Sequence, residues 1–389
     1  MRIARFARCG FAAALLAAAP ALAQQPLKIG LIMPYTGQFT DASAQMDDAI
    51  KLYVKQHGDT VAGRKIELIR RDDAGSPDVA KRMARELTVN DNVDILAGFV
   101  ITPEALAVAD VSEQAKKFMV VMNAATAIIT TKSPYIVRTS LTIPQLEEAF
   151  GTWVYKSGVR KVYTLVSDYA PGHDAEGAFQ RAFKAAGGEI VGALRIPLAN
   201  PDFSAFVQRI KDANPEALFI FVPGGAQPAA LAKALVERGM DAKKIKILGQ
   251  GEITEENALR GMGDAALGVI TAYHYDHNHD SKLNKAFVSA FKAAYKHNPD
   301  IFAIGGYDGM HVIYEALKKT GGKTDGDALI EAMKGMKWES PRGPISIDPE
   351  TRDIVQNIYI RKVEKVDGEL YNVEFATFEA VKDTGKTKK

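Results

Sequence analysis

Residues 27–34 read Leu27-Lys28-Ile29-Gly30-Leu31-Ile32-Met33-Pro34, a short apolar run stopped by proline. That is the pattern of a strand buried on both faces. Working outward, apolar residues recur at helical spacing over 41–53, and Ile66-Glu67-Leu68-Ile69 is the next strand. Pro77 opens a helix over 77–90, where its missing N–H does no harm. A strand over 93–97, a helix over 103–116 and a strand over 118–122 follow. This alternation predicts a mostly parallel sheet with helices on both faces.

The same rhythm restarts near residue 144. Strands are expected over 159–167, 189–196, 217–222, 245–249 and 267–272, with helices over 172–186, 203–213 and 226–238 between them. Helices over 281–296, 301–319 and 325–333 come next, then strands over 355–362 and 371–378. The expected fold is α/β: two doubly wound lobes with parallel-sheet cores joined by a multi-crossover hinge. Connections at 140–144, 273–280 and 343–352 assign 24–141 and 275–350 to lobe 1. Lobe 2 takes 142–274 and 351–378, and the polar segment 379–389 is expected to be a disordered tail. A groove between two hinged lobes is a natural ligand site.

Composition narrows the function. The 389 residues are 47% apolar and 25% charged, which excludes a disordered or collagen-like chain. A formal charge of +2 leaves no electrostatic footprint for nucleic acid. Residues 1–23 carry Arg2, Arg5 and Arg8, an apolar stretch over 11–19, and the small-residue site Ala21-Leu22-Ala23. They read as a cleaved secretory signal with Gln24 as the mature start, and hence a periplasmic protein. Cys9, the single cysteine, precedes the apolar stretch and leaves with the leader. The mature chain then has no disulfide, no thiol nucleophile and no lipidated first residue. Losing three Arg leaves 46 basic against 47 acidic residues, formally −1.

Few residues suggest catalysis. His274-Tyr275-Asp276-His277-Asn278-His279-Asp280 gathers metal-ligating types, but no second His-rich segment completes a ligand set. It is expected to be a solvated crossover loop. His173 offers a general base, yet no Gly-x-Ser-x-Gly elbow, zinc helix or phosphate loop accompanies it. The Gly-Gly-Tyr-Asp-Gly run over 305–309 sits in a helical pattern and reads as close helix packing. No cofactor and no metal are implied.

The loops after the strands are more informative, because open α/β sheets bind ligands beyond the carboxyl ends of their strands. Pro34-Tyr35-Thr36-Gly37-Gln38-Phe39-Thr40 follows the first. Gly98-Phe99-Val100-Ile101-Thr102-Pro103 places Thr102 as the cap of a helix starting at Pro103. Asn123-Ala124-Ala125-Thr126 follows the next strand. Hydroxyls and free N–H groups at a helix start suit a carboxylate. The second run offers Ser167-Asp168-Tyr169-Ala170-Pro171-Gly172, Pro223-Gly224-Gly225-Ala226-Gln227 and Gly249-Gln250-Gly251-Glu252.

Taken in order, these segments resemble the leucine/isoleucine/valine-binding proteins, the type I periplasmic substrate-binding proteins of ABC importers. The likeness covers the mature chain, including the opening 28–37, the Arg-Asp-Asp-Ala-Gly-Ser-Pro ending of the next strand, Ala124-Ala125-Thr126, and Asp202-Phe203-Ser204. The resemblance implies a carboxylate held by Thr102 and Ala124, Ala125 and Thr126. It implies an aromatic cover from Tyr35 or Phe39 and closure by Asp168, Tyr169, Gln250 and Glu252. Amino-acid binders pair the ligand's ammonium with an acid; an ungapped match puts Gly251 there, with Glu252 one residue late. Benzoate- or phenylpropanoid-binding members need no such acid. A small aromatic carboxylate is therefore the expected ligand, with a branched-chain or other amino acid as the alternative. The expected partner is an inner-membrane permease, and the expected state a monomer. A hydrolase using His173 or the His274–His279 cluster, and a ligand-sensing domain for a membrane receptor, are the rival functions.

Overall fold

The computed structural model describes residues 25–384 and Lys386. The expected leader, with Cys9, and the start at Gln24 lie outside the described residues. β1 (Leu27–Met33) is buried along nearly its whole length and lies between two parallel neighbours. The first lobe runs β1, α1 (Thr40–His57), β2 (Thr60–Val61), β3 (Arg64–Asp72), α2 (Pro77–Val89), β4 (Ile95–Gly98), α3 (Thr102–Gln114), β5 (Phe118–Val121) and β6 (Ile136–Arg138). Its sheet order is β2-β3-β1-β4-β5-β6, parallel except for the β2–β3 pair. Apolar side chains of β1, β4 and β5 enter two cores, one on each face. Continuous apolar strands require that double cover.

The second lobe contains α4 (Ile143–Lys156), β7 (Lys161–Ser167), α5 (Ala170–Ala185), β8 (Glu189–Ile196), α6 (Phe203–Ala213), β9 (Ala217–Phe221), α7 (Gln227–Glu237), β10 (Lys246–Gln250), α8 (Glu256–Met262) and β11 (Ile270–Tyr273). Strands β8-β7-β9-β10-β11 form its parallel centre. The chain continues through α9 (Lys282–Tyr295), α10 (Ile301–Thr320), α11 (Gly326–Met333), β12 (Lys337–Ser340), β13 (Gly343–Ile347), β14 (Ile354–Val366) and β15 (Glu369–Val381). Caps explain several helix starts: Thr142, Ser281, Asp300 and Asp325 each accept from a first-turn N–H. Among the described residues no helix is long and apolar enough to cross a membrane.

α10 and α11 return to the first lobe, where Met310, Ile313, Leu317, Leu329 and Met333 complete its core. The glycines of α10 explain how closely it docks. A Cβ on Gly305 would lie 2.0 Å from the Met122 carbonyl oxygen, and one on Gly306 would lie 2.7 Å from that of Met46.

Three features depart from the sequence reading. The segment 343–352, read as a bare connection, contains strand β13, which pairs with β12 and β14. These strands hydrogen-bond into the second sheet, yet Ile345, Ile347 and Ile354 pack in the first lobe's core. β14 itself crosses between lobes: Ile358 and Ile360 lie in the core next to α4, and Val363 lies deeper in the second lobe. Chain order also extends past 378, because β15 runs to Val381 and Lys382 pairs with Asp348 at 3.0 Å. Finally, the His-rich connection is not a solvated loop. His274, Tyr275 and Asp276 are buried, Asp276 meets Arg361 at 3.1 Å, and Asn284 donates to the carbonyls of Asp276, His277 and His279.

Arg342 ties the connections together. Its guanidinium is fully buried, pairs with Asp308 at 2.9 Å, and donates to the carbonyls of Thr139 and Ser140 and to the Gln356 side chain. Burial, with Arg342 and Arg361 nearby, keeps the His274 imidazole neutral on the second connection.

Candidate functional site

The carboxyl ends of both sheets open on one interlobe cavity, with about 850 Å³ of empty space including its mouth. The first lobe contributes Phe39 at the start of α1, the turn 100–102 after β4, and the turn 123–125 after β5. The second lobe contributes Tyr169 after β7, Phe221 at the end of β9 with the turn 223–225 beyond it, and Glu252 and Glu255 after β10. Ile143 and Phe302 close the hinge side. These ends are where this class of sheet binds small molecules.

The first-lobe wall is built with some care. Gly98 and Phe99 both take positive φ, +107° and +66°, which swings the chain out of β4. For a bulky residue such as Phe99 that conformation is an outlier. Its carbonyl accepts from the Ala124 N–H at 3.0 Å, joining the two turns. Asn123 Nδ2 donates to the Val100 carbonyl at 2.7 Å. Arg138, fully buried, donates to the carbonyls of Ala124 and Thr126 at 3.0 and 2.8 Å and meets Asp353 at 2.8 Å. Behind the Val100–Thr102 turn, Glu104 accepts from the Ile101 N–H at 3.2 Å. Burial and the neighbouring Asp73 push the Glu104 carboxyl well above its ordinary range; burial likewise raises Asp73.

Thr102 is not the helix cap. Ile101 occupies that position and Thr102 is the first residue of α3. Its hydroxyl instead meets that of Thr126 at 3.0 Å. The first N–H groups of a helix have no carbonyl ahead of them within it, so donors remain beside Thr102 for an anion.

Of the residues expected at the site, Phe39, Thr102, Ala124, Ala125, Tyr169 and Glu252 line the cavity. Thr126 lies behind Thr102, buried. Tyr35 does not reach it: its N–H is held by Asp72 at 2.9 Å and its ring packs on the first lobe's core. Asp168 turns outward to His173, 2.6 Å away at the surface. Gln250 is fully enclosed as the last residue of β10. Gly251 faces away as well, since a Cβ there would collide with Tyr273 and Arg361. The short helical turn Gly251–Thr254 delivers Glu252 to the cavity instead. Its carboxylate accepts from the Gly224 N–H at 3.1 Å. Burial raises it to about 7, against the pull of Gly224 and the Tyr273 hydroxyl. Glu255 is also raised by burial, offset by Arg361.

Sequence reasoning missed Glu255, Phe221, Phe302 and Arg138. Glu255 lies three residues beyond a loop already singled out. Arg138 carries no local signal, being one polar residue at the end of a three-residue strand.

A family model described as periplasmic binding protein matches residues 26–369. A Leu/Ile/Val-binding protein homolog of Brucella melitensis is 45% identical over 372 residues, 95% of each chain. The solved structure of an ABC-transporter solute-binding protein from Rhodopseudomonas palustris BisB5, in complex with 3,4-dihydroxybenzoic acid, is 60% identical. It covers 93% of this chain and 99% of its own, with TM-score 0.90. A counterpart from Rhodopseudomonas palustris HaA2, in complex with p-hydroxybenzoic acid, is 42% identical with TM-score 0.91, covering 94% and 100%.

Proposed function

The chain belongs to the periplasmic binding protein family, and from that premise we propose that it captures a small aromatic carboxylate for an inner-membrane ABC importer. It is a binding protein and not an enzyme. The observation that carries the ligand class is the cavity's composition. Thr102 and the start of α3 supply donors for a carboxylate, and Phe39, Tyr169, Phe221 and Phe302 supply walls for a ring. The relatives solved with hydroxylated benzoates support the same reading.

In this reading the two lobes close about the hinge, because contacts from both exist together only in the closed form. Lobe 1 comprises 24–141 and 275–350, and lobe 2 comprises 142–274 and 351–378, with β14 passing between them. The leader 1–23 is removed on export, and the periplasmic protein works as a monomer that meets its permease. Calorimetry and small-angle scattering on protein stripped of bound ligand test this. An aromatic acid should shrink the radius of gyration, and at a hundredfold excess over Kd it should stabilise the fold by about 2.7 kcal/mol. Superimposable profiles with and without saturating ligand would refute closure.

A branched-chain amino acid is the second reading. Glu252 in the cavity is a carboxyl that an ammonium could hold in its charged form, and the Brucella relative carries the corresponding name. Binding of leucine, with none for any aromatic acid, would establish it instead.

A further inference from the structure

A cavity for an aromatic carboxylate has little obvious use for two glutamates. An anion facing an anion is repulsive, and a carboxyl without a partner is costly to enclose. Yet Glu252 and Glu255 both line the same cavity as Tyr169, Phe221 and Asn257. Glu252 accepts from the Gly224 N–H, but the surroundings of Glu255 leave an acceptor open. Glu255 Oε1 is buried without a hydrogen-bond partner, and its Arg361 counter-ion stands 3.9 Å away. Across the cavity, Asn123 is 94% buried and gives its Nδ2 to the Val100 carbonyl. Its Oδ1 is left with no partner. Asp300 also lines the cavity, but its carboxylate is occupied by the Phe302 and Ala303 N–H groups at 2.8 and 3.2 Å. The cavity thus holds unpartnered acceptors on both lobes, and a ligand that brings donors can satisfy them.

We propose that Glu252 and Glu255, with Asn123 opposite, form a subsite that accepts hydrogen bonds from ring hydroxyls, so that the protein selects hydroxylated benzoates over benzoate. This rests on the aromatic-acid reading above and deepens it. A phenol fits these groups better than an ammonium does. Burial holds Glu252 near 7, where it is not a committed anion, and a carboxyl poised between its forms pairs with a neutral hydroxyl without separating charge. Benzoate has no donor and would leave the same acceptors empty. A site built around a hydroxyl discriminates strongly against the analogue that lacks it.

The test is calorimetry of the mature chain with benzoate, 3-hydroxybenzoate, 4-hydroxybenzoate, 3,4-dihydroxybenzoate and leucine. It is repeated on Glu252→Leu and Glu255→Gln. The best hydroxybenzoate should bind the native chain at least about tenfold more tightly than benzoate. Glu252→Leu should bring that ratio towards one, chiefly by weakening the hydroxybenzoates. Because the ratio is taken within one protein, a general loss of stability cancels; Glu255→Gln, which keeps the shape, should reduce the ratio in the same direction. Equal affinities in the native chain, or a ratio unchanged in both variants, would overturn the subsite and leave the aromatic-acid reading standing. Binding of leucine alone would overturn both and give the glutamates to an ammonium.

Discussion

Asn257 of the second lobe donates through Nδ2 to Asp41 Oδ2 of the first, 3.2 Å away across the mouth of the cavity. A second bridge joins the Ala127 N–H to Asp174 Oδ2 at 3.0 Å. Both form only when the lobes are together, so they stabilise the closed form independently of what it encloses. Asn257→Ala should weaken ligand binding by about 0.5–1.5 kcal/mol, mostly through faster dissociation. Stopped-flow release measurements check this, and an unchanged off-rate would show the bridge to be incidental.

Thr102→Val, which keeps the side chain's shape, should cost about 1.5–3 kcal/mol of affinity, the range for a hydrogen bond to a charged group. Thr126→Val should cost less, because that hydroxyl reaches the cavity only through Thr102. Calorimetry paired with thermal melts separates the two roles. Equal losses would mean that Thr126 also touches the ligand.

Gly305→Ala should destabilise the fold by about 1–3 kcal/mol or more, as overpacking does. The added carbon meets the Met122 carbonyl, the residue just before the turn at Asn123, so affinity should fall with stability. Urea melts and calorimetry on one preparation check both. A variant of native stability would mean that α10 can withdraw from β5.

The buried Asp73 and Glu104 carboxyls predict a pH dependence. Burial, and for Glu104 the Asp73 charge, raises both above their unfolded values, so the folded state holds more protons. Their stabilisation is complete below the ordinary carboxylate range and is lost as pH rises through the raised values. Urea midpoints should therefore fall from about pH 5 towards pH 9, and Glu104→Gln should flatten the slope. An identical slope in the variant would remove the pair from the account.

The strands of both parallel sheets were legible because β5 and β9 are unbroken apolar runs and β1 is broken only by Lys28, a pattern that double burial demands. β12 was not, because Lys337-Trp338-Glu339-Ser340 alternates charge with apolar groups at the edge of the sheet and lacks that signature. The first-lobe wall was readable as cavity lining from Thr102, Ala124 and Ala125, which follow the ends of β4 and β5. The opposite wall was not. Whether Gly251 or Glu252 faces the cavity depends on one helical turn, and Asp168 follows a strand as a site residue would, yet bends outward to His173. Direction of that kind is set by packing at a distance in sequence, by Tyr273 and Arg361 against Gly251 for example.

Arg342 fastens the third connection to the first through two backbone carbonyls and to β14 through Gln356. Three separate tethers would let one lobe twist, slide and rock against the other. With two of the three fastened together, fewer independent motions remain. The open form is then a narrow set of orientations, and closing it gives up little rotational freedom. Each capture is then a swing about a bearing, not a search over free orientations.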